Sequence, residues 1–203
     1  MDAGGLAMTG AMPADLPALF KDFGLDYHFE HLSLAIEMFG PLKGKRVLEI
    51  GGCLPREIVI DRLEAGEWIG TDLPGYWDES GDDNPSRRIG MNRKPLQGFN
   101  PGAVDHVCLE GDVLELDSSL DGRFDLVFSV SAFEHIADIP ATLSVASRAL
   151  KEGGGLFATA LPIWPSEKGH HLPPISDGGK EVSFSMLQVP PWPHLTLRPN
   201  ELS

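Results

Sequence analysis

Five short apolar runs punctuate the chain, at residues 47–50, 68–72, 104–110, 124–130 and 156–161, with glycine, Asp or Ser at or just beyond most of their ends. Runs this short and rich in β-branched or aromatic side chains, without polar alternation, predict strands covered on both faces. Between them the apolar spacing turns helical, over 56–65 with Gly66 as the stop, and over 139–150 with Leu143, Ala146 and Leu150 on one face and Gly153-Gly154-Gly155 as the stop. Strands that alternate with helices pair in parallel through right-handed crossovers. The expected fold is therefore α/β, a Rossmann-like three-layer sandwich with a mostly parallel central sheet. Ahead of it, Phe29, Leu32, Ala35, Ile36 and Phe39 recur at helical spacing up to Gly40-Pro41, which predicts an amphipathic helix over 27–39.

The domain expected from this pattern occupies 14–161, after a loose terminus at 1–13 and before a Pro-, His- and Trp-rich substrate-side region at 162–203. Residues 73–103 lack a sustained apolar period and read as a long loop or irregular insertion. One alternating stretch, 182–189, reads as a further strand.

A formal charge of −14 opposes a phosphate backbone, and the one basic cluster, Arg87, Arg88, Arg93 and Lys94, sits near Asp82 and Asp83. Nucleic acid is thus not the expected partner. The sequence has neither an apolar run long enough to span a bilayer nor a leader pattern, which predicts a cytoplasmic protein without membrane contact. Cys53 and Cys108 form no Cys-x-x-Cys pair, so neither a disulfide framework nor a zinc site is expected.

Ligands of open parallel sheets bind at the carboxyl ends of the strands, where the strand order reverses. Glu49, Gly51, Gly52, Asp72, Asp112 and Ser129 all fall at or near such ends. Glycine lets the main chain approach a ligand, and a carboxylate ending the second strand suits a pair of ribose hydroxyls. Asp112 is placed to meet an adenine amino group, with Leu73 and Val113 against the ring.

In Val47-Leu48-Glu49-Ile50-Gly51-Gly52, Gly70-Thr71-Asp72, Glu110-Gly111-Asp112-Val113, and Phe124 to Ser129 followed by Phe133-Glu134-His135-Ile136, the chain resembles the class I S-adenosylmethionine-dependent methyltransferases. The match is to their type 11 domain and covers roughly 27–161. The resemblance implies S-adenosylmethionine as cofactor and methyl transfer to an O or N atom of a small-molecule acceptor. It also implies that Glu49 and the glycines hold the methionine end, Asp72 the ribose and Asp112 the adenine. A full GxGxxG is missing, as suits a cofactor without a pyrophosphate.

Two departures stand out: Cys53 and Pro55 replace the later glycines of the first loop, and 162–203 is short for the helix and antiparallel pair with which such sheets are completed. The expectation is a shortened chain lacking the complete C-terminal strand pair, with an exposed sheet edge through which it self-associates or which the tail wraps. Two rival readings follow, a catalytically silent binding or scaffold subunit and a nicotinamide-dependent reductase, the latter disfavoured by the missing glycine fingerprint. Candidate general bases toward an acceptor are His135, and His170 with His171 beyond the fifth strand. No metal is expected, because Ser131 stands where a further acidic ligand would be needed.

Overall fold

The computed structural model describes residues 12–74, 92–102 and 104–161, together with the backbone of 175–177 and 180–182. The chain divides into two compact units, Met1–Thr159 and Ala160–Ser203.

In the first unit β1 (Arg46–Ile50), β2 (Glu67–Asp72), β3 (Arg93–Pro95), β4 (His106–Glu110), β5 (Phe124–Val130) and β6 (Leu150–Thr159) form one sheet in the order β3-β4-β2-β1-β5-β6. Every pairing in it is parallel. From β1 the chain builds outward through β2, then returns to the other side with β5, so the order reverses between β1 and β5. Among the described residues three α-helices flank the sheet: α1 (Leu16–Asp22), α2 (Asp26–Phe39) and α3 (Ile139–Ala149).

Period-two alternation divides the strand residues between two cores. Val47, Trp68, Cys108, Leu126, Phe128 and Phe157 face Leu16 and Phe20 of α1 and Leu32 and Ala35 of α2. Phe128 lies at the centre, edge-on to Trp68 at 5.9 Å and stacked on Phe157 at 5.7 Å. The alternate set, including Leu48, Ile69, Val107 and Val127, turns to the other face and is equally buried. There α3 packs on β5 and β6 with Thr142, Ala146 and Ala149. The two-faced burial expected of the central strands is thus met, and three layers result.

α3 starts where the Asp138 carboxylate accepts the Ala141 N–H at 2.9 Å, with Pro140 in the first turn. Asp138→Ala is expected to lower stability by about 1 kcal/mol in urea unfolding, the usual worth of such a cap.

Four local expectations are corrected. The stretch 56–65 winds as a π-type helix over Glu57–Arg62, with Leu63 N–H reaching Ile58 O at 3.0 Å and Ala65 N–H reaching Val59 O at 2.9 Å. It is anchored at both ends, by the Pro55 carbonyl and by the Ala65–Lys43 bridge, and the wider turn takes up the residues between. β6 starts at Leu150 and runs through the glycines expected to precede it. Its register against β5 shifts between Phe124 and Leu126, Gly153 takes φ 76, and a Cβ on Gly155 would run into the Phe39 ring of α2. β3 lies in the stretch read as a loop, three residues being too few to show a period, and the strand expected from 104 begins at His106. α1 was not foreseen from the spacing; it is seven residues long and buries only Leu16 and Phe20.

Among the described strands β6 is an outer one of this sheet, the edge expected to self-associate or to be wrapped by the tail. In the second unit β7 (Ile175–Asp177) and β8 (Lys180–Val182) form an antiparallel pair, and 183–189 of the expected further strand lie outside the described residues. Among the described residues no helix is long and apolar enough to cross a membrane.

Candidate cofactor cavity

A cavity of about 340 Å³ opens at the carboxyl ends of β1, β2, β4 and β5, the place where the strand order reverses. Its floor is the turn after β1. Gly51 takes φ 78 there, and the N–H groups of Gly51 and Gly52 donate to Thr71 O at 2.8 and 3.2 Å, folding the loop back onto β2. A Cβ on Gly51 would run into Ala132, so this glycine is needed for packing across to the segment after β5 as well as for its backbone angle.

Asp72 ends β2 at the cavity wall, its Oδ1 accepting the Leu73 N–H at 2.8 Å. Asp112 follows β4, and its Oδ1 accepts the Leu114 N–H at 2.9 Å, capping the short 3₁₀ turn Val113–Glu115. Leu73 and Val113 line the same wall, with Leu73 59% exposed. The helix-start carboxylate Asp138 joins them, and His135 is also in the wall. Among the described residues the cavity is thus lined by three carboxylates and by neither lysine nor arginine. That sign of charge matters more than the size, because a focused negative field selects for cationic or neutral ligands.

The sequence-derived residues therefore separate into two groups. Gly51, Asp72, Leu73, Asp112, Val113 and His135 meet at the cavity, whereas Glu49, Gly52 and Ser129 lie behind its wall. Glu49 is 4% exposed and accepts the Leu54 N–H at 2.7 Å and the Trp68 Nε1–H at 2.6 Å. Burial pushes its carboxyl up to about 7 against the lowering effect of those two donors, with the nearby Asp72 charge adding to the rise. Gly52 is buried against Glu49, where a Cβ would come 2.8 Å from Oε1. Ser129 is fully buried and donates its hydroxyl to Ile50 O at 2.8 Å. His170 and His171 lie outside the described residues.

Sequence reasoning missed Asp138, Thr142 and Ala132 as wall residues. Thr142 is fully buried, with its hydroxyl donating to Asp138 O at 3.0 Å. Its only sequence signal was a small polar residue one turn past a helix-start Asp-x-Pro, which says nothing of what the helix end faces. Arg56, outside the cavity, is paired bidentately with Asp105.

Residues 89–158, about a third of the chain, match the family Methyltransf_11, a methyltransferase domain. No curated protein matches the chain. Among solved structures, a protein in complex with the Haloferax volcanii Trm112 methyltransferase activator is 24% identical over 70% of this chain and 57% of its own, with a TM-score of 0.46. An S-adenosylmethionine-dependent methyltransferase from Mesorhizobium loti is 16% identical over 74% of this chain and 62% of its own, with a TM-score of 0.43. Phosphoethanolamine N-methyltransferase 2 of Haemonchus contortus, solved with S-adenosyl-L-methionine, is 24% identical over 71% of this chain and 32% of its own, with a TM-score of 0.46. The chain thus spans less than two thirds of the length of each of these proteins. Residues 89–158 are thus similar to a methyltransferase domain, and the parallel sheet to which β3, β4, β5 and β6 belong is Rossmann-like.

Proposed function

We propose that the chain binds S-adenosylmethionine in this cavity and transfers its methyl group to an O or N atom of a small-molecule acceptor. The observation that carries the reading is the cavity's charge: Asp72, Asp112 and Asp138 in the wall and, among the described residues, neither lysine nor arginine. A dinucleotide brings a pyrophosphate, which needs amide donors or arginine, and here the Gly51 and Gly52 amides are already given to Thr71 O. A sulfonium nucleoside brings positive charge and no phosphate, so the same carboxylates favour it. This separates the reading from a nicotinamide-dependent reductase.

Asp72 would receive the ribose hydroxyls, and Asp112, Leu73 and Val113 the adenine, with Gly51 beside the methionine end. Glu49, Gly52 and Ser129 serve the same site from behind: Glu49 fixes the loop through Leu54 N–H, Gly52 leaves room for that carboxylate, and Ser129 ties β5 to the end of β1. When bound, the cofactor supplies a methyl carbon made electrophilic by the sulfonium. What remains for the chain is alignment and exclusion of water. His135, in the wall, takes the proton of an acceptor hydroxyl or amine, a role for which His170 and His171 are the further candidates.

Calorimetry tests this. S-adenosylhomocysteine is expected to bind, NADH is not, and Asp72→Ala is expected to weaken S-adenosylhomocysteine by roughly ten- to a hundredfold, the worth of hydrogen bonds to a charged group. Undiminished affinity in Asp72→Ala would sink the assignment. An intact chain inert to the nucleoside would favour the silent binding or scaffold subunit instead.

A further inference from the structure

Asp112 and Asp138 enter the cavity wall from different segments, the turn after β4 and the start of α3. Those segments are packed on each other. α3 lies against the Val113–Glu115 turn, and Arg148 in its last turn donates from Nη2 to Leu116 O at 3.0 Å and pairs through Nε with Asp121 at 3.0 Å. The helix is thereby held along the segment that carries Asp112, with its first turn at the cavity. Thr142, fully buried one turn on, lines the same wall.

The two carboxylates are built alike. Each uses Oδ1 on a main-chain N–H two or three residues ahead, Asp112 on Leu114 and Asp138 on Ala141, both at 2.9 Å. Such a cap fixes the side chain and leaves its second oxygen over, and an ionised carboxylate oxygen only accepts. Among the described residues Oδ2 of neither makes a hydrogen bond, and both residues are exposed, open to whatever fills the cavity. The wall residues that flank them in sequence, Val113 and Leu114 on one side and Ile136 and Ala137 on the other, are apolar. Serine or asparagine would have capped α3 as well, so the cap alone does not call for the charge. Two like charges in one apolar wall repel unless a ligand brings donors to them. The matching group donates twice and accepts nothing, as the exocyclic amine of an aromatic ring does: its two N–H bonds lie in the ring plane and point apart, so one carboxylate serves only one of them.

We propose that Asp138 is a second acceptor for the 6-amino group of adenine, taking one N–H while Asp112 takes the other, and that this pair makes the cavity selective for a 6-aminopurine. This rests on the cavity holding S-adenosylmethionine with Asp112 at the adenine. A 6-oxopurine would turn a carbonyl oxygen toward two carboxylates, leaving all three acceptors unpaired. Sites built to hydrogen-bond a group reject analogues that lack it strongly, for that reason.

S-inosylhomocysteine, the 6-oxo counterpart of S-adenosylhomocysteine, tests this in calorimetry. The parent chain is expected to bind the adenosine compound at least about a hundredfold more tightly. Asp138→Asn keeps the cap through Oδ1 and puts an NH2 donor in place of Oδ2. It is expected to weaken S-adenosylhomocysteine about tenfold and to strengthen S-inosylhomocysteine about tenfold. Changes of opposite sign are what a displaced helix or a loosened fold would not produce. Asp138→Ser, which caps α3 without a second oxygen, is expected to weaken S-adenosylhomocysteine about tenfold and to leave S-inosylhomocysteine no weaker than in the parent. Shifts of the two ligands in the same direction in Asp138→Asn, or no shift in either, would overturn the role of Asp138 and leave the cofactor reading standing. A parent chain that fails to bind S-adenosylhomocysteine would overturn both.

Discussion

At about pH 8 the Glu49→Gln chain is expected to be about 3 kcal/mol more stable than its parent, and at about pH 4 the two are expected to coincide. The carboxyl of Glu49 is raised from 4.5 to about 7, chiefly by burial. The folded chain therefore keeps a proton that the unfolded chain has released, and stability contributed by this group falls as pH rises across that window. Above it the folded state holds a buried charge that two donors, Leu54 N–H and Trp68 Nε1–H, only partly compensate. Glutamine copies the protonated acid, with a carbonyl for those donors and no charge, so it removes the slope. His28 and His106 are both lowered by burial and weaken the fold as pH falls below the ordinary histidine range, the opposite sense. They are common to both chains, so the difference between urea midpoints at each pH isolates Glu49. Parallel profiles for parent and variant would show that Glu49 titrates alike in the folded and unfolded chains.

Gly70→Val is expected to cost at least about 3 kcal/mol and to abolish nucleoside binding even where the chain still folds, because it combines overpacking with displacement of backbone. A Cβ on Gly70 would meet Gly52 O and come 2.5 Å from Cys53 Cβ and 2.9 Å from Cys53 Cα. Two of these are main-chain atoms, and the loop they belong to is the floor of the cavity. Cys53 has little room to retreat, since its thiol already lies 3.7 Å from His106 Nε2 and 3.6 Å from Val107 O. Thermal unfolding gives the first half of the expectation and calorimetry with S-adenosylhomocysteine the second. A Gly70→Val chain with unchanged melting and binding would show that the loop after β1 is free of β2, contrary to the Gly51 and Gly52 hydrogen bonds.

The motif around β1 shows where sequence and structure part. Val47, Leu48 and Ile50 were legible as a doubly covered strand because burial on both faces leaves only apolar residues to choose from. The glycines after it were legible as a tight turn. Of the two, Gly51 lines the cavity, whereas Gly52 turns inward against Glu49. Glu49 read as a ligand residue at the methionine end, yet its two donors come from residues 54 and 68, and no spacing rule announces that pair.

The same division holds for the rest of the chain. Local patterning was enough for α2, β1, β2, β5 and α3, for the parallel α/β class, and for the carboxylates Asp72 and Asp112 at strand ends, because burial period and strand polarity are written residue by residue. Only the packed chain decided that the first loop folds back on β2, that 57–62 widens into a π turn, that glycines 153–155 lie inside a strand, and that Tyr27 meets Ser131 from 104 positions away. Each of these depends on which atoms crowd a given Cβ or receive a given N–H, and those atoms belong to segments remote in sequence that come together only once the sheet has closed over its helices.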